Sequence, residues 1–218
     1  MEVNSFLNRL RKRSIPSLFE LPIDESLCKE GLLRAFEAEV ESGLHTYRLE
    51  EQQARQIGHV ARWLVCHYRK WGLLLNGIPG NGKTTTLYAI RRVINALGIT
   101  DSDNNETVGL WVKTANELTE MFLTDKRQFD RYKTTPLLGI DEFGLEPEFV
   151  TSYGNVFTPL TDILSYRYQN RLFTILTTNV ANSDIRPKYG DRIAARMNEM
   201  FEIVLMPDVD FRKEQVPN

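Results

Sequence analysis

Short apolar runs alternate along this chain with stretches of helical periodicity. Five runs have the length and composition of buried strands, and they cover residues 73–75, 108–112, 136–142, 172–179 and 200–206. Segments of helical character lie between them. Because strands that alternate with helices form a parallel sheet covered on both faces, the pattern predicts an α/β fold with a five-stranded parallel sheet.

Several segments have the spacing of amphipathic helices. Residues 29–42 have helical character, and the apolar positions over residues 57–68 follow i, i+3, i+4, i+7, i+8 and i+11 spacing. A third helical pattern covers residues 87–97. Thr114 and Glu117 have the spacing of a capping box, in which each residue satisfies a backbone N–H near the other. This pair predicts the start of a further helix.

The N-terminal part of the chain differs from the alternating pattern that follows it. It contains a basic cluster of Arg9, Arg11, Lys12 and Arg13. Pro16 and Pro22 then interrupt any single long helix, so we expect a short helix followed by a tether. We predict an N-terminal extension over residues 1–45 and one α/β domain over residues 46–218. A polar turn is expected over residues 100–106.

Composition and charge limit the class of protein. The 218 residues suffice for one well-buried α/β domain with an appendage, and 42% hydrophobic with 26% charged residues is typical of a globular chain. The net charge of −2 does not attract nucleic acid to the whole surface, so a DNA partner requires a local basic patch. The N-terminal basic cluster is one candidate for that patch, and a solvated arm is the equal alternative.

Two further properties concern the cell compartment. Cys28 and Cys66 are too few and too far apart for a disulfide framework, and the three histidines do not join them at metal-ligand spacing. The N-terminus lacks a signal-peptide core, and no window approaches the length of a membrane span. These features predict a cytoplasmic protein with reduced thiols.

A glycine-rich turn follows the first apolar strand. Residues 77–84 read GIPGNGKT and match the phosphate-binding pattern G-x-x-x-x-G-K-[ST]. The glycines allow backbone angles that point successive N–H groups at phosphate oxygens. Lys83 supplies a positive charge for the β and γ phosphates, and the Thr84 hydroxyl is placed to bind Mg²⁺. Because a strand precedes the turn and a helix follows it, the pattern predicts a nucleoside triphosphate site.

The helix before the first strand is expected to frame the base of that nucleotide. The predicted nucleotide contacts are Gly77, Ile78, Pro79, Gly80, Asn81, Gly82, Lys83, Thr84 and Thr85.

Two acids, Asp141 and Glu142, end the third apolar strand, and parallel sheets bind ligands at the carboxyl ends of their strands. Asp141 is expected to hold the Mg²⁺ shell, and Glu142 to orient and deprotonate the attacking water. A solvated loop start is the alternative for such a pair.

Two polar features late in the chain complete the candidate site. Asn179 ends the fourth strand, which is predicted to lie between the two strands that carry the other motifs. Its amide could bond to the γ-phosphate or the attacking water, and a turn-forming Asn is the alternative. Arg192 and Arg196 share one face of a helix because they are four residues apart. They are candidates for an arginine finger, and solvated surface arginines are the alternative.

The order of these motifs resembles that of the AAA+ ATPases, and more narrowly that of the DnaC/IstB-like helicase loaders and transposition helper ATPases. The shared features are the phosphate loop, the apolar strand that ends in DE, the strand that ends in Asn and the helix with arginines. The stretches IDEFG and GDRIAARM are the most specific. The resemblance covers residues 50–207 and extends weakly to the stretch SIPSLFELPID.

The resemblance implies a P-loop NTPase fold of the AAA+ type with ATP and Mg²⁺ as cofactors. By this resemblance the catalytic residues are Lys83, Glu142, Asn179 and Arg196, with Arg192 as second choice for the finger, and the Mg²⁺ ligands are Thr84 and Asp141. Few residues follow the fifth strand, so we expect no C-terminal lid domain. Arg212 could take the place of a second sensor arginine. We also expect no cysteine-rich N-terminal domain of the kind that some loaders use to hold a helicase, so the expected ATPase activity does not by itself imply helicase loading.

The leading hypothesis from sequence is therefore a DNA-associated ATPase that forms a homo-oligomer on single-stranded or duplex DNA. ATP would be hydrolysed between subunits, and a replicative helicase or a transposase would be the partner. A nucleotide-gated adaptor with little turnover is the first alternative. A small-molecule kinase is the second, and the DE pair and Asn179 argue against it because they resemble groups that act on water.

Overall fold

The computed structural model describes residues 19–44, 47, 50–67, 69–100, 107–152 and 154–211. Several sequence predictions therefore lie outside the described residues, namely those for the basic cluster at Arg9, Arg11, Lys12 and Arg13, for most of the turn over 100–106, for Tyr68 and for Arg212. In the described part of the chain, no helix combines the length and the apolar composition needed to cross a lipid bilayer.

The strands form one main sheet and one small hairpin. In chain order they are β1 (Gly72–Asn76), β2 (Trp111–Thr114), β3 (Leu137–Phe143), β4 (Val150–Ser152), β5 (Asn155–Phe157), β6 (Phe173–Thr178) and β7 (Phe201–Leu205). The main sheet has the order β2-β3-β6-β1-β7, and all its pairs are parallel. The predicted five-stranded parallel sheet is confirmed. So is the central place of β6 between β1 and β3, the two strands that carry the other motifs.

Helices cover both faces of this sheet. They are α1 (Glu25–Ser42), α2 (Glu51–Val65), α3 (Lys83–Ala96), α4 (Ala115–Thr124), α5 (Lys126–Thr134), α6 (Pro159–Gln169) and α7 (Asn182–Met200). Side chains of α1, α2 and α3 form one core cluster with Leu73 and Leu75. Side chains of α4 to α7 form the second with Leu74. Successive residues of β1 thus enter opposite cores, as the alternation of side chains along a strand requires.

The N-terminal helix α1 belongs to the first of these cores. Its first turn is capped by Asp24, whose carboxylate accepts a hydrogen bond of 2.9 Å from the N–H of Leu27. Its buried residues are Cys28, Leu32, Ala35 and Phe36, and they pack with buried residues of α2 and α3. The division of the chain at residue 45 stays a prediction.

The second strand begins later than its sequence predicted. The N–H of Val108 donates to Ile99 O at 2.8 Å, and the N–H of Leu110 donates to Asn95 Oδ1 at 3.1 Å. These bonds direct residues 108–110 toward the end of α3, so pairing with β3 starts only at Trp111. The capping box of Thr114 and Glu117 is confirmed, since each side chain accepts a bond from the other residue's backbone N–H.

Two irregularities were not predicted from the sequence. The first is the hairpin of β4 and β5, whose strands have three residues each and leave β5 exposed, so no buried alternation announces it. The second is a break in α7 at Gly190, where φ is 82° and ψ is 164°. The break separates the first half of α7 from the half that carries Arg192 and Arg196.

A buried arginine joins the starts of two central strands. Arg167 on α6 has no exposed surface. Its guanidinium donates to Thr174 Oγ1 and to the carbonyl oxygens of Lys133, Thr135, Pro136 and Phe173 at 2.6–3.3 Å. Burial lowers the pKa of Arg167 to about 9. The side chain therefore depends on these oxygens for the solvation that it has lost.

We predict that Arg167→Met destabilises the fold strongly. Methionine fills similar space but leaves the buried acceptors without donors, which should lower the free energy of unfolding by about 3 kcal/mol or more. Arg167→Lys should also be destabilising because an ammonium has three donors and cannot match the planar fork. The matched control is Arg55→Met, whose side chain is 71% exposed. Urea denaturation that gives the same stability for Arg167→Met and the control would contradict this role.

Candidate nucleotide-binding site

The predicted phosphate loop forms the turn between β1 and α3. Gly80 and Gly82 have φ of 81° and 88°, in the left-handed region that residues with a Cβ seldom adopt. Gly82 is also the residue that caps the N-terminus of α3. The unpaired N–H groups of the first helical turn and the helix dipole therefore face the loop, which is the arrangement that binds anions.

Lys83 lies inside this turn. Its ammonium donates to Gly77 O at 2.8 Å, to Ile78 O at 2.7 Å and to Asn81 Oδ1 at 2.9 Å. The residue is only 7% exposed. A single positive charge is thus enclosed by the loop that would surround a phosphate group.

The segment after β7 packs across the same loop. Asn81 Nδ2 donates to Pro207 O at 3.0 Å, and the N–H of Phe211 donates to Gly80 O at 3.2 Å. A Cβ at Gly80 would lie 1.9 Å from the Asp210 carboxylate, so only glycine fits there. Local sequence patterns contain no signal for this contact because the two segments are far apart along the chain.

Asp141 joins the phosphate loop helix to the centre of the sheet. Its Oδ1 accepts a hydrogen bond of 3.0 Å from Thr84 Oγ1 and another from Thr177 Oγ1. Asp141 is 5% exposed. The carboxylate is therefore held in place by α3 on one side and by β6 on the other.

A β-bulge puts both acids opposite one threonine. Ile140 pairs with Leu176, whereas Phe143 pairs with Thr178, so β3 has one residue more than β6 over this stretch. Glu142 takes up the difference with φ of 57°, a conformation that costs a residue with a Cβ about 1–2 kcal/mol. Its N–H donates to Thr177 Oγ1 at 3.0 Å. The Glu142 residue is exposed, in contrast to Asp141.

Asn179 leaves the sheet between the strands of the other two motifs. It follows Thr178, which pairs with Asn76 on one side and with Phe143 on the other. Thr178 Oγ1 donates to Phe143 O at 2.6 Å, and Asn76 Nδ2 donates to Val180 O at 3.0 Å. These bonds fix the backbone on both sides of Asn179, which is itself exposed.

The two arginines lie apart from this cluster of contacts. Arg196 is half-buried, donates to Ser165 Oγ at 2.8 Å and lies 5.1 Å from the centre of the Tyr168 ring. Both of those partners belong to α6. Arg192 is exposed. The described contacts of Arg196, which lies on α7, are therefore with side chains of α6 in the same subunit.

Several buried polar atoms on the side of the sheet that carries α1 and α2 lack hydrogen-bond partners among the described residues. They are Gln53 Oε1, Gln56 Oε1 and Tyr47 Oη. Gln53 lies on α2 and is 3% exposed, and its Nε2 would be 3.8 Å from a Cβ at Gly82. The Phe36 ring is next to the same position. Buried orphan atoms are costly, so the place of the Gln53 amide beside the loop fits a polar ligand group better than a dry core.

Comparison with solved structures identifies the fold. The crystal structure of the DnaC helicase loader has a TM-score of 0.55 and 20% identity, covering 80% of this chain and 99% of DnaC. DnaI has a TM-score of 0.54 and 19% identity, covering 89% of this chain and all of that one. This chain has the AAA+ fold.

A third solved structure with this fold contains a bound nucleotide analogue. AMPPCP-bound DnaA from Aquifex aeolicus has a TM-score of 0.53 and 16% identity, covering 78% of this chain and 51% of that one. No protein-family model matches the sequence, and a comparison with curated proteins finds no match. At these identities the similarity concerns the fold, and the roles of individual residues in the AAA+ core stay predictions.

We predict that the Thr177 hydroxyl stabilises the strand ends. Thr177→Val keeps the shape but removes both the donor to Asp141 and the acceptor for the Glu142 N–H. Because the latter becomes a poorly satisfied backbone group, the free energy of unfolding should fall by about 1–3 kcal/mol.

The control for this change is Thr119→Val. Thr119 is also buried, but its hydroxyl only donates to the carbonyl of Ala115 one helical turn earlier, so the change should be within about 0.5 kcal/mol. Equal urea midpoints for the two variants would show that Thr177 has no special role.

Proposed function

We propose that this protein is a cytoplasmic, Mg²⁺-dependent ATPase of the AAA+ type. The observation that carries the proposal is the arrangement at the carboxyl ends of β1 and β3. Lys83 is enclosed by a glycine turn, and the Thr84 hydroxyl and the Asp141 carboxylate meet 3.0 Å apart. A triphosphate in the turn would have Lys83 and the α3 N-terminus as counter-charges.

The donor set beside the loop suits Mg²⁺. A hydroxyl oxygen and a carboxylate oxygen are hard ligands, and Mg²⁺ in phosphate sites takes one or two such groups together with phosphate oxygens. Thr84 and Asp141 would hold the ion, and when bound it would neutralise charge on the β and γ phosphates. Thr177 would keep the Asp141 carboxylate oriented, as an outer hydrogen-bond partner does in metal sites.

Glu142 is proposed as the general base. It is the exposed acid of the pair, and it is next to the Mg²⁺ candidate Asp141 on the bulged strand end. A carboxylate there could orient water and take its proton. Asn179, at the end of the neighbouring strand, would bond to the γ-phosphate or to that water.

The base of the nucleotide is proposed to lie near α2. Gln53 and Tyr47 offer an amide oxygen and a hydroxyl that lack partners within the described chain, and the Phe36 ring is beside Gly82. Amide and hydroxyl groups can bond to the edge of a nucleobase. This arrangement supports the prediction that the helix before β1 frames the base.

DNA is proposed as a partner because a local basic surface compensates for the net charge of −2. Lys126, Arg127 and Arg131 on α5 are exposed. Lys126 lies 3.7 Å from the Asp130 carboxylate, so Arg127 and Arg131 are the stronger candidates to neutralise backbone phosphates. One solved structure of the same fold is the replication initiator DnaA bound to AMPPCP and single-stranded DNA, and another is a helicase loader. A helicase or transposase as protein partner is the finer form of this proposal.

The experiment that tests the function measures phosphate release from ATP with purified protein and no other acceptor. It compares the parent, Lys83→Ala and Glu142→Gln, each without DNA, with single-stranded DNA and with duplex DNA. Lys83→Ala should lose ATP binding. Glu142→Gln should bind ATP but lose turnover by about 10²-fold or more, since its amide cannot accept the proton of water.

The matched control is Glu148→Gln, which changes an exposed acid in the next loop and should leave turnover unchanged. Turnover by Glu142→Gln within a few-fold of the parent would contradict the general-base assignment. A parent that binds ATP yet releases no phosphate under any condition would favour the adaptor. Transfer that requires a small-molecule acceptor would favour the kinase.

We further propose that ATP is hydrolysed at a subunit interface with Arg196 as the finger. Arg196→Ala should keep ATP affinity and lose turnover, because the transition-state charge loses a counter-ion. Arg196→Ala subunits retain Glu142, and Glu142→Gln subunits retain Arg196. Mixed oligomers on DNA should therefore recover activity that neither variant has alone.

The same mixture made with Arg192→Ala decides between the two arginines. Arg192 is exposed, whereas Arg196 would have to exchange its bond with Ser165 for a neighbour's phosphate. Recovery with Arg192→Ala alone would assign the finger to Arg192. Mixed oligomers that form but show no recovery with either variant would contradict hydrolysis in trans.

A further inference from the structure

The turn that follows the proposed base is held in an unusual backbone conformation. Glu142 has φ of 57°, and Gly144 has φ of 103°. A Cβ at Gly144 would lie 2.2 Å from Val180 Cγ2, so the turn is pressed against the segment between β6 and α7. A non-glycine residue keeps a left-handed conformation only where its surroundings hold it there. Glu142 itself is bonded through its N–H to Thr177 Oγ1 and through its carbonyl to the Leu145 N–H.

Three further side chains bond the turn at Gly144, two residues after Glu142, and we call them the turn clamp: Glu146, Lys188 and Tyr189. Glu146 Oε2 accepts a bond of 2.8 Å from the Gly144 N–H, and Glu146 Oε1 accepts one from the Tyr189 hydroxyl. Lys188 Nζ donates to Gly144 O and, at 2.9 Å, to Glu146 O, and it lies 3.7 Å from Glu146 Oε1. Both backbone groups of Gly144 are thus bonded to the clamp.

Glu146 is buried, Lys188 and Tyr189 are half-buried, and the clamp adjoins the strand itself. The Glu146 side chain is 2% exposed and that of Lys188 is 22% exposed. The Tyr189 ring stacks on Phe143, with centroids 4.7 Å apart and planes at 16°. Burial and the neighbouring Glu146 carboxylate raise the pKa of Tyr189, so its hydroxyl stays a donor at neutral pH.

Two clamp residues lie on α7, the helix that also carries the two candidate finger arginines. Lys188 and Tyr189 end the first half of α7, directly before the break at Gly190. The second half carries Arg192 and Arg196. The clamp therefore ties the turn after Glu142 to the helix that carries the finger candidates.

A buried ion pair is weak evidence for stability, because desolvating two charges offsets most of their attraction. Holding a strained turn beside a reacting group is a different task, which needs fixed directions rather than net energy. We propose that Glu146, Lys188 and Tyr189 are positioning residues that hold Glu142 in the orientation in which it activates water. This inference rests on the proposed ATPase function.

The kinetic signature separates positioning from a structural role. The bonds described above join the clamp to Gly144 and Glu146, so its variants should bind ATP with an affinity within about twofold of the parent. Their kcat should fall at least about tenfold, because small displacements of a catalytic group cost up to about 10²-fold in rate. KM for ATP should stay nearly constant.

Tyr189→Phe is the sharpest variant because it deletes one hydroxyl and keeps the stack on Phe143. Lys188→Met removes the donors to Gly144 O and Glu146 O. Glu146→Gln keeps an acceptor for the Gly144 N–H, whereas Glu146→Ala has none, so the Gln variant should retain a larger share of kcat than the Ala variant. This order tests the bond to Gly144 directly.

The matched control is Lys133→Met. Lys133 also makes an ion pair, 2.7 Å from Asp162, and its side chain is 19% exposed, close to the 22% of Lys188. It lies on α5, shortly before β3 begins at Leu137, and therefore near the end of β3 that is remote from Asp141 and Glu142. Its kcat should equal that of the parent.

The experiment measures steady-state kcat and KM, affinity for a fluorescent ATP analogue, and the thermal midpoint for every variant. Folded Tyr189→Phe and Lys188→Met proteins with parental kcat would overturn the positioning role, and so would an equal loss of kcat in Lys133→Met. A raised KM with unchanged kcat would overturn it as well. If the parent itself binds the analogue but releases no phosphate, the proposed function fails, and the positioning role fails with it.

Discussion

The hydrogen bonds of the Asp141 carboxylate hold the candidate site together. One oxygen accepts from Thr84 at the start of α3 and from Thr177 near the end of β6, so it joins the phosphate loop to the centre of the sheet. The same Thr177 hydroxyl accepts the N–H of Glu142. Asp141 and Thr177 are buried, whereas Thr84 and Glu142 are exposed. Because each hydroxyl of this network has a defined partner, a change at one member displaces the others.

The two faces of the sheet contribute different parts of the site. The core with α1, α2 and α3 carries Gln53 and Phe36 beside the phosphate loop. The core with α4 to α7 carries the turn clamp and the arginine helix. The carboxyl ends of the central strands connect the two sides. This division explains why the proposed binding of the base and the proposed activation of water depend on residues from separate parts of the chain.

Local chemistry made much of this predictable from sequence. The glycines around Lys83, the acids near the end of β3 and Asn179 directly after β6 lie at the carboxyl ends of parallel strands, where such sheets bind ligands. The bulge at Glu142 was not predictable, because it depends on the register between β3 and β6. The contacts of Arg196 with α6 and of Asp210 with Gly80 join distant segments, so periodicity contains no signal for them. The late start of β2 was not predictable either, because the N–H groups of Val108 and Leu110 donate to Ile99 O and Asn95 Oδ1 instead of pairing with β3.

The central claim is that Thr84 and Asp141 hold Mg²⁺ at the phosphate end of a nucleotide. The most direct test measures ATP binding by calorimetry, with ATP titrated into the protein. Each titration is done once in the presence of Mg²⁺ and once in the presence of a chelator, for the parent and for Asp141→Asn. Asparagine keeps an oxygen that accepts from Thr84 and Thr177 but removes the charge that favours the cation. The account predicts that Mg²⁺ strengthens ATP binding in the parent and that this gain is largely lost in the variant. An equal gain from Mg²⁺ in both proteins would contradict it.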